Sequence, residues 1–420
     1  MRSIVCLIIV CFVLPIKAQN NKALKILFLG NSYTAANNLT GMLNDMATLA
    51  GDSVFQITSA GSGQTLANHA APGSPSMNEI NTGTYDIVVL QEQSQIPSFT
   101  EAEVQSYFFP YVKYLDSAIK AANPCTKTVL YMTWGRKNGD DMNCANWPPV
   151  CTYQGMDSLL RKRYLEAAVD NQCIVSPAGA VWRYIRQHYP EIELYEPDNS
   201  HPSFEGTYAT AACFYASIFK KSPQNFSINY HLPDSTVQKI KTAVDAIVLP
   251  QSDLWQLDAY ATKAKFTHSI TGVYVSFNNI SENALSYQWF FGDGDTAELK
   301  HPVHAFMPGK YKITLIARGC NGNDTLVYDL NMPSESSIKP VQSSKIQLYP
   351  VPTQSVLILA TSFEVVDVLA ISELGQKKAL NFKHEGNTCS IDIRALSSGV
   401  YTLLITDDKG TTMTDRFIKE

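Results

Sequence analysis

An apolar run at 26–29 stops at Gly30, and Ser32 follows two residues later. An amphipathic segment comes next, with Leu39, Met42, Leu43, Met46 and Leu49 on a helical period, and it closes at Gly51. This pattern predicts a strand, a sharp turn and a helix. Further strand-like runs lie at 87–90, 128–132 and 174–175, and helical patterns cover 34–50, 101–122, 155–170 and 205–219. Alternation of this kind predicts an α/β domain over 22–250, with a parallel sheet and helices on both faces. In such sheets ligands sit beyond the carboxyl ends of the strands. From about residue 258 the texture changes. Short alternating runs appear around Val273, Val275 and Phe277 and around Tyr311, Ile313 and Leu315, with turn residues between them. They predict an all-β module over 258–333. A stretch rich in Ser, Pro and Lys, 334–345, reads as a linker, and a last β-rich segment fills 346–420.

The chain has 420 residues, too many for one ordinary core, so several domains are expected. Its formal charge of −5, with no basic clustering, gives no sign of a nucleic-acid binder. Residues 1–18 read as a signal peptide: Arg2, an apolar run from Ile4 to Pro15, and Ala18 as the small residue before the cut. No cysteine stands at that point to take a lipid. No other long apolar stretch follows, so no integral membrane segment is expected after cleavage. Export permits disulfides. Cys144 and Cys151 flank a short Pro-rich loop and are the best pair, and Cys125 with Cys173 is a second expectation. Outside the leader the cysteines number seven, so at least one stays unpaired within the chain. None has zinc-site spacing, and no metal is expected.

Ser32 stands where a strand hands over to a helix, so its hydroxyl is exposed near helix N-terminal amides. The competing reading is a plain helix cap. Asp198 and His201 are three apart in a Pro-bounded loop, which can turn both side chains to one side. Asp198 then orients the imidazole while the other ring nitrogen faces Ser32. Alternatively, Asp198 caps the following helix and His201 is a surface residue. Residues 59–65 form a Gly-rich loop around Gly61 and Gly63, whose backbone can approach a ligand. A polar segment, 91–95, follows the 87–90 run, and its Gln91, Gln93 or Gln95 can supply an amide donor or brace the loop.

The residues Gly30-Asn31-Ser32-Tyr33-Thr34, the glycine loop, the Gln segment and Asp198-x-x-His201-Pro202-Ser203 occur in the order of the sequence blocks of the SGNH/GDSL hydrolase superfamily. The resemblance covers nearly all of 22–220. It implies a flavodoxin-like three-layer α/β/α fold and ester hydrolysis through a Ser-His-Asp triad, with Ser32 as nucleophile, His201 as base and Asp198 as its orienting partner. It also implies an oxyanion hole from the Ser32 and Gly63 amides and a block-three asparagine. Two positions depart from the family. Asn31 stands where its Gly-Asp-Ser has Asp, and the asparagine is replaced by the Gln segment, of which Gln93 is favoured. Trp134, Arg136 and His69 are candidates for substrate contact, with core packing, surface charge and a helix cap as the respective alternatives.

Trp289-Phe-Phe-Gly292-Asp293-Gly294, then Pro302 to Phe306 and Pro308-Gly309-Lys-Tyr311, resemble a PKD-type immunoglobulin-like domain. Asp293 and Asp295 there are read as turn formers, with calcium binding as the alternative. Leu348-Tyr-Pro350-Val-Pro352, then Leu374-Gly375, Leu396-Ser-Ser-Gly399 and Arg416-Phe-Ile-Lys419, resemble the C-terminal sorting domain of type IX secretion in Bacteroidetes. The whole is expected to be a secreted or surface-held serine esterase of a Gram-negative cell. It needs no cofactor, acts on an ester such as acetylated polysaccharide, and has the secretion machinery as a partner. The alternatives are a non-catalytic carbohydrate-binding or adhesion protein on the same scaffold, and a lipase or thioesterase for longer acyl chains.

Overall fold

The structure, a computed structural model, describes residues 23–333, 347–361, 363–372, 375–386 and 388–420. The expected signal peptide and linker lie outside these residues, as does Leu374. The chain divides into two compact units, 1–261 and 262–420.

The first unit runs β1 (Leu24–Gly30), α1 (Ser32–Ala35), α2 (Leu39–Leu49), β2 (Val54–Ala60), α3 (Leu66–His69), α4 (Pro75–Asn81) and β3 (Ile87–Leu90). It continues with α5 (Glu101–Tyr107), α6 (Phe109–Ala122), β4 (Lys127–Tyr131), α7 (Tyr153–Asn171), β5 (Ile174–Ser176), α8 (Ala178–His188), α9 (Phe204–Phe219) and α10 (Asp234–Ile247). The five strands pair in parallel, in the order β2-β1-β3-β4-β5. This is the flavodoxin-like doubly wound order, with β1 and β3 meeting at the point where the winding reverses. Ile26 to Leu29 are fully buried, as are Val89 and Leu90 to within 1%. A strand covered on both faces has to read as a continuous apolar run, which is why these were legible.

Three departures from the expected elements have local causes. The helix expected at 34–50 is broken, because Asn37 and Asn38 take left-handed φ values of 48° and 54°. Asn tolerates that conformation, and the break separates α1 from α2. The helix expected at 101–122 splits at Phe108 because Pro110 opens α6. Proline has no N–H to give the preceding turn, and its ring crowds it. β2 is an edge strand with Phe55 more than half exposed, so it lacks a solid apolar run. α10 was also unforeseen, although Val237, Ile240 and Val244 carry its buried face at helical spacing.

Among the described residues the second unit is built from antiparallel sheets. Over 262–333, a three-stranded sheet (Val303–Ala305, Tyr274–Asn279, Phe266–Thr271) and a four-stranded one (Gly322–Met332, Gly309–Gly319, Ser286–Phe290, Thr296–Ala297) enclose buried Val275, Phe277, Trp289, Ile313 and Leu315. Two four-stranded sheets follow over 347–420, around Leu357, Leu359, Leu403 and Ile405. Alternate residues point inward, which is the period the sequence showed.

Cys144 and Cys151 form the expected disulfide. The expected Cys125–Cys173 bond is not formed. Cys173 is a free thiol buried behind β5, and Cys125 is oxidised elsewhere. Cys213 and Cys389 are also free and buried.

Candidate active site

The site lies at the carboxyl ends of β1 and β3, where the sheet order predicts a crevice. β1 ends at Gly30, and Asn31 caps α1 by accepting from the Tyr33 amide at 3.1 Å. Ser32 is therefore the first helical residue, not the cap. Gly30 is required by space. A Cβ there would lie 2.2 Å from Thr34 Oγ1 and 2.6 Å from Gln91 Oε1. The backbone amides around Ser32 are engaged: Asn31 N with Gln91 Oε1, and Thr34 N and Ala35 N with the Asn31 carbonyl. Among the described residues the Ser32 amide has no acceptor.

The second half of the site is the loop 195–201. Tyr195 bridges Pro202, the Glu196 amide donates to the His201 carbonyl, and the Ser203 amide donates to the Leu194 carbonyl. Asn199 turns the loop with φ at 59°. This closed loop brings His201 Nε2 to 2.8 Å from Ser32 Oγ, and His201 Nδ1 to 2.5 Å from Asp198 Oδ2. The other carboxylate oxygen of Asp198 accepts from the Ser200 and His201 amides, each at 2.9 Å. Burial pushes the Asp198 carboxyl up. The bonds from His201 and these amides outweigh it and hold the group below its ordinary value. Asp198 caps no helix. Ser203 does that for α9, accepting from the Gly206 amide at 3.0 Å. The His201 and Asp198 side chains are 40% and 48% exposed, so solvent and a ligand reach them.

The three glutamines separate by their partners. Gln91 is fully buried, and its Oε1 accepts from Asn31 N and Thr34 Oγ1 while its Nε2 donates to the Glu92 carbonyl. Gln95 donates to both carboxylate oxygens of buried Asp140. Gln93 is half-buried. Its Oε1 accepts from the Gln95 amide and one amide hydrogen goes to Gln95 Oε1 at 3.1 Å, which leaves the second hydrogen without an assigned partner. The glycine loop is tied to the serine turn by Asn31 Nδ2, which donates to the Gln64 carbonyl at 3.0 Å. An aspartate at position 31 has no hydrogen to make that bond. Gly63 has φ +65° and open space around it.

Two of the substrate-contact candidates are corrected. Trp134 is fully buried, with Tyr33 stacked on one side at 5.0 Å and Trp182 on the other at 3.6 Å, so no sugar ring can reach it. Its indole N–H donates to the Ser200 carbonyl. His69 is also buried. Its Nε2 donates to the Gly30 carbonyl at 2.9 Å and its Nδ1 accepts from Ser76, so it braces the end of β1. Burial holds its imidazole below its ordinary pKa, with the Gly30 bond opposing. Arg136 is partly exposed and lies 3.6 Å from Asp140. Glu92, within the polar 91–95 segment but assigned no role from sequence, is a carboxyl buried at the end of β3 that accepts from the Leu66 and Gln93 amides. Burial pushes it up to about 8 despite those bonds.

Residues 259–331 match the family model of the PKD domain, and residues 347–420 match that of the secretion system C-terminal sorting domain. The chain thus carries a PKD domain and a sorting domain. A type IX sorting domain implies a protein secreted to, or held on, the outer surface of a Bacteroidetes cell. No described helix is long and apolar enough to cross a membrane. The N-terminal α/β region resembles SGNH hydrolases. A protein of Slackia heliotrinireducens assigned to the SGNH hydrolases is 27% identical, over 46% of this chain and 98% of its own, with a TM-score of 0.38. A DUF4886 family protein from Bacteroides uniformis is 14% identical, over 55% and 96%, with a TM-score of 0.46. A carbohydrate esterase family 3 protein from Talaromyces cellulolyticus is 14% identical, over 49% and 100%, with a TM-score of 0.34. Comparison with curated proteins gave no match.

Proposed function

We propose that this protein is a secreted serine ester hydrolase acting through Ser32, His201 and Asp198. The observation that carries this reading is the unbroken hydrogen-bonded chain from Ser32 Oγ through both ring nitrogens of His201 to Asp198. Ser32 Oγ attacks the ester carbonyl as His201 Nε2 takes its proton. Asp198 holds the ring by Nδ1 and stabilises the imidazolium. The tetrahedral oxyanion is met by the Ser32 and Gly63 amides and by the second amide hydrogen of Gln93. A missing donor of this kind costs roughly 10²–10³-fold in kcat. The imidazolium then gives its proton to the leaving alcohol, and the acyl group stays on Ser32. Water, deprotonated by His201, attacks the acyl-enzyme and releases the acid and the free serine.

The substrate class we assign is an acetyl ester on a polysaccharide. Export places the enzyme among extracellular polymers, and a PKD domain accompanies the hydrolase-like region. The test is hydrolysis of p-nitrophenyl acetate and a longer-chain ester by wild type and Ser32→Ala. Activity on the acetate that vanishes in the variant, with its fold intact, supports the reading. A preference for the longer chain points to a lipase instead. Equal, negligible rates in both proteins count against catalysis and favour a glycan-binding role, to be followed by a glycan screen.

A further inference from the structure

Tyr33, next to the proposed nucleophile, is not absorbed by that mechanism. Its hydroxyl lies 2.6 Å from Ser200 Oγ, and its ring meets the His201 imidazole edge to face at 5.2 Å and 69°. Ser200 directly precedes the base. Each of its polar groups is held: the amide by Asp198 Oδ1, the side chain by Tyr33, and the carbonyl by Trp134 Nε1. Tyr33 and Trp134 are themselves stacked at 5.0 Å and 6°, and Trp182 backs them at 3.6 Å. A rigid aromatic column thus grips the backbone and side chain beside the base from two directions, and one of its members grows from the nucleophile's own helix turn.

We propose that Tyr33 is a positioning residue that locks the His201 ring toward Ser32 by clamping Ser200. This rests on the serine hydrolase reading. The physical need is plain. His201 and Asp198 stand on an exposed loop, and a base displaced by about 1 Å loses up to roughly 100-fold in rate. Within the loop Asp198 holds the Nδ1 edge of the ring, and a contact with the ring from outside the loop restrains it further. Tyr33 supplies that contact, and its attachment to the turn that carries Ser32 makes the two halves of the site move together.

The test uses the full mature chain, with Tyr33→Phe, Ser200→Ala and the double variant. Tyr33→Phe keeps the stack and removes only the hydroxyl. The expected result is a kcat lowered about 10-fold in each single variant with KM unchanged, and no further loss in the double variant, because both remove the same bond. A wild-type kcat in Tyr33→Phe, or additive losses, overturns the proposal. A second measurement is independent of turnover. The ring-nitrogen proton of His201 in the NMR spectrum is expected to be a single sharp resonance in wild type and to broaden or shift in Tyr33→Phe, at unchanged melting temperature. An unchanged resonance overturns the clamp. If wild type hydrolyses no ester and its Ser32 resists a fluorophosphonate probe, the hydrolase reading fails while the NMR comparison still decides the clamp.

Discussion

The carboxamide oxygen of Gln91 accepts from both the Asn31 amide and the Thr34 hydroxyl, each at 2.9 Å, across 60 and 57 residues of sequence. One buried side chain at the end of β3 thereby fixes the turn that presents Ser32 at the end of β1. Gln91→Leu leaves these two donors and the Glu92 carbonyl without partners in a dry interior. Each unsatisfied group costs about 1–3 kcal/mol, so several kcal/mol of stability is expected to be lost, read from urea unfolding. A midpoint equal to wild type would show that water or a rearranged turn replaces Gln91.

Gly30→Ala tests the same corner by volume. The added methyl would meet the Thr34 and Gln91 atoms that bond to each other. Overpacking of this kind costs about 1–3 kcal/mol, and here it also displaces Ser32. Ester hydrolysis is expected to fall with stability, and retention of full activity in a folded Gly30→Ala protein would contradict the geometry.

Asp198→Ala removes the acceptor of His201 Nδ1 and of two backbone amides. The ring loses its orientation and its compensating charge. A fall in kcat of roughly 10³–10⁴-fold on an activated ester is expected, with the protein still folded because the loop is exposed. A loss under tenfold would remove Asp198 from the proposed triad.

Glu92 makes stability depend on pH. Its carboxyl is pushed from 4.5 to about 8 by burial, against the bonds from the Gln93 and Leu66 amides. Between those values the folded protein binds this proton and the unfolded chain does not. Stability from this group is therefore present below about 4.5 and is lost as pH rises through about 8. Melting temperatures from pH 5 to 8.5 are expected to fall less steeply in Glu92→Gln than in wild type. Parallel curves would place the titration elsewhere.

Local chemistry determined much of this protein. Strands 26–29 and 87–90 were legible because burial on both faces demands unbroken apolar runs. Gly30 and Ser32, and Asp198 with His201, were legible because turns and loops restrict residue type within a few positions. The C-terminal β-modules showed their period of two because each strand buries one face, so alternate residues point inward. The breaks at Asn37 and Phe108 were also written locally, in Asn-Asn and in Pro110, but a helical period runs across such breaks without showing them. Tertiary structure decided which side chains meet. The order β2-β1-β3-β4-β5 brings Gln91 against Asn31 and His201 against Ser32, 169 residues away, and no local pattern encodes that distance. It also decided that Trp134 lies under Tyr33 and Trp182 and not in a sugar site, that Cys173 stays a thiol, and that of three similar glutamines two are occupied by Asn31 and Asp140. Exposure and partnership belong to the packed whole, because each depends on surfaces supplied by elements far apart in the chain.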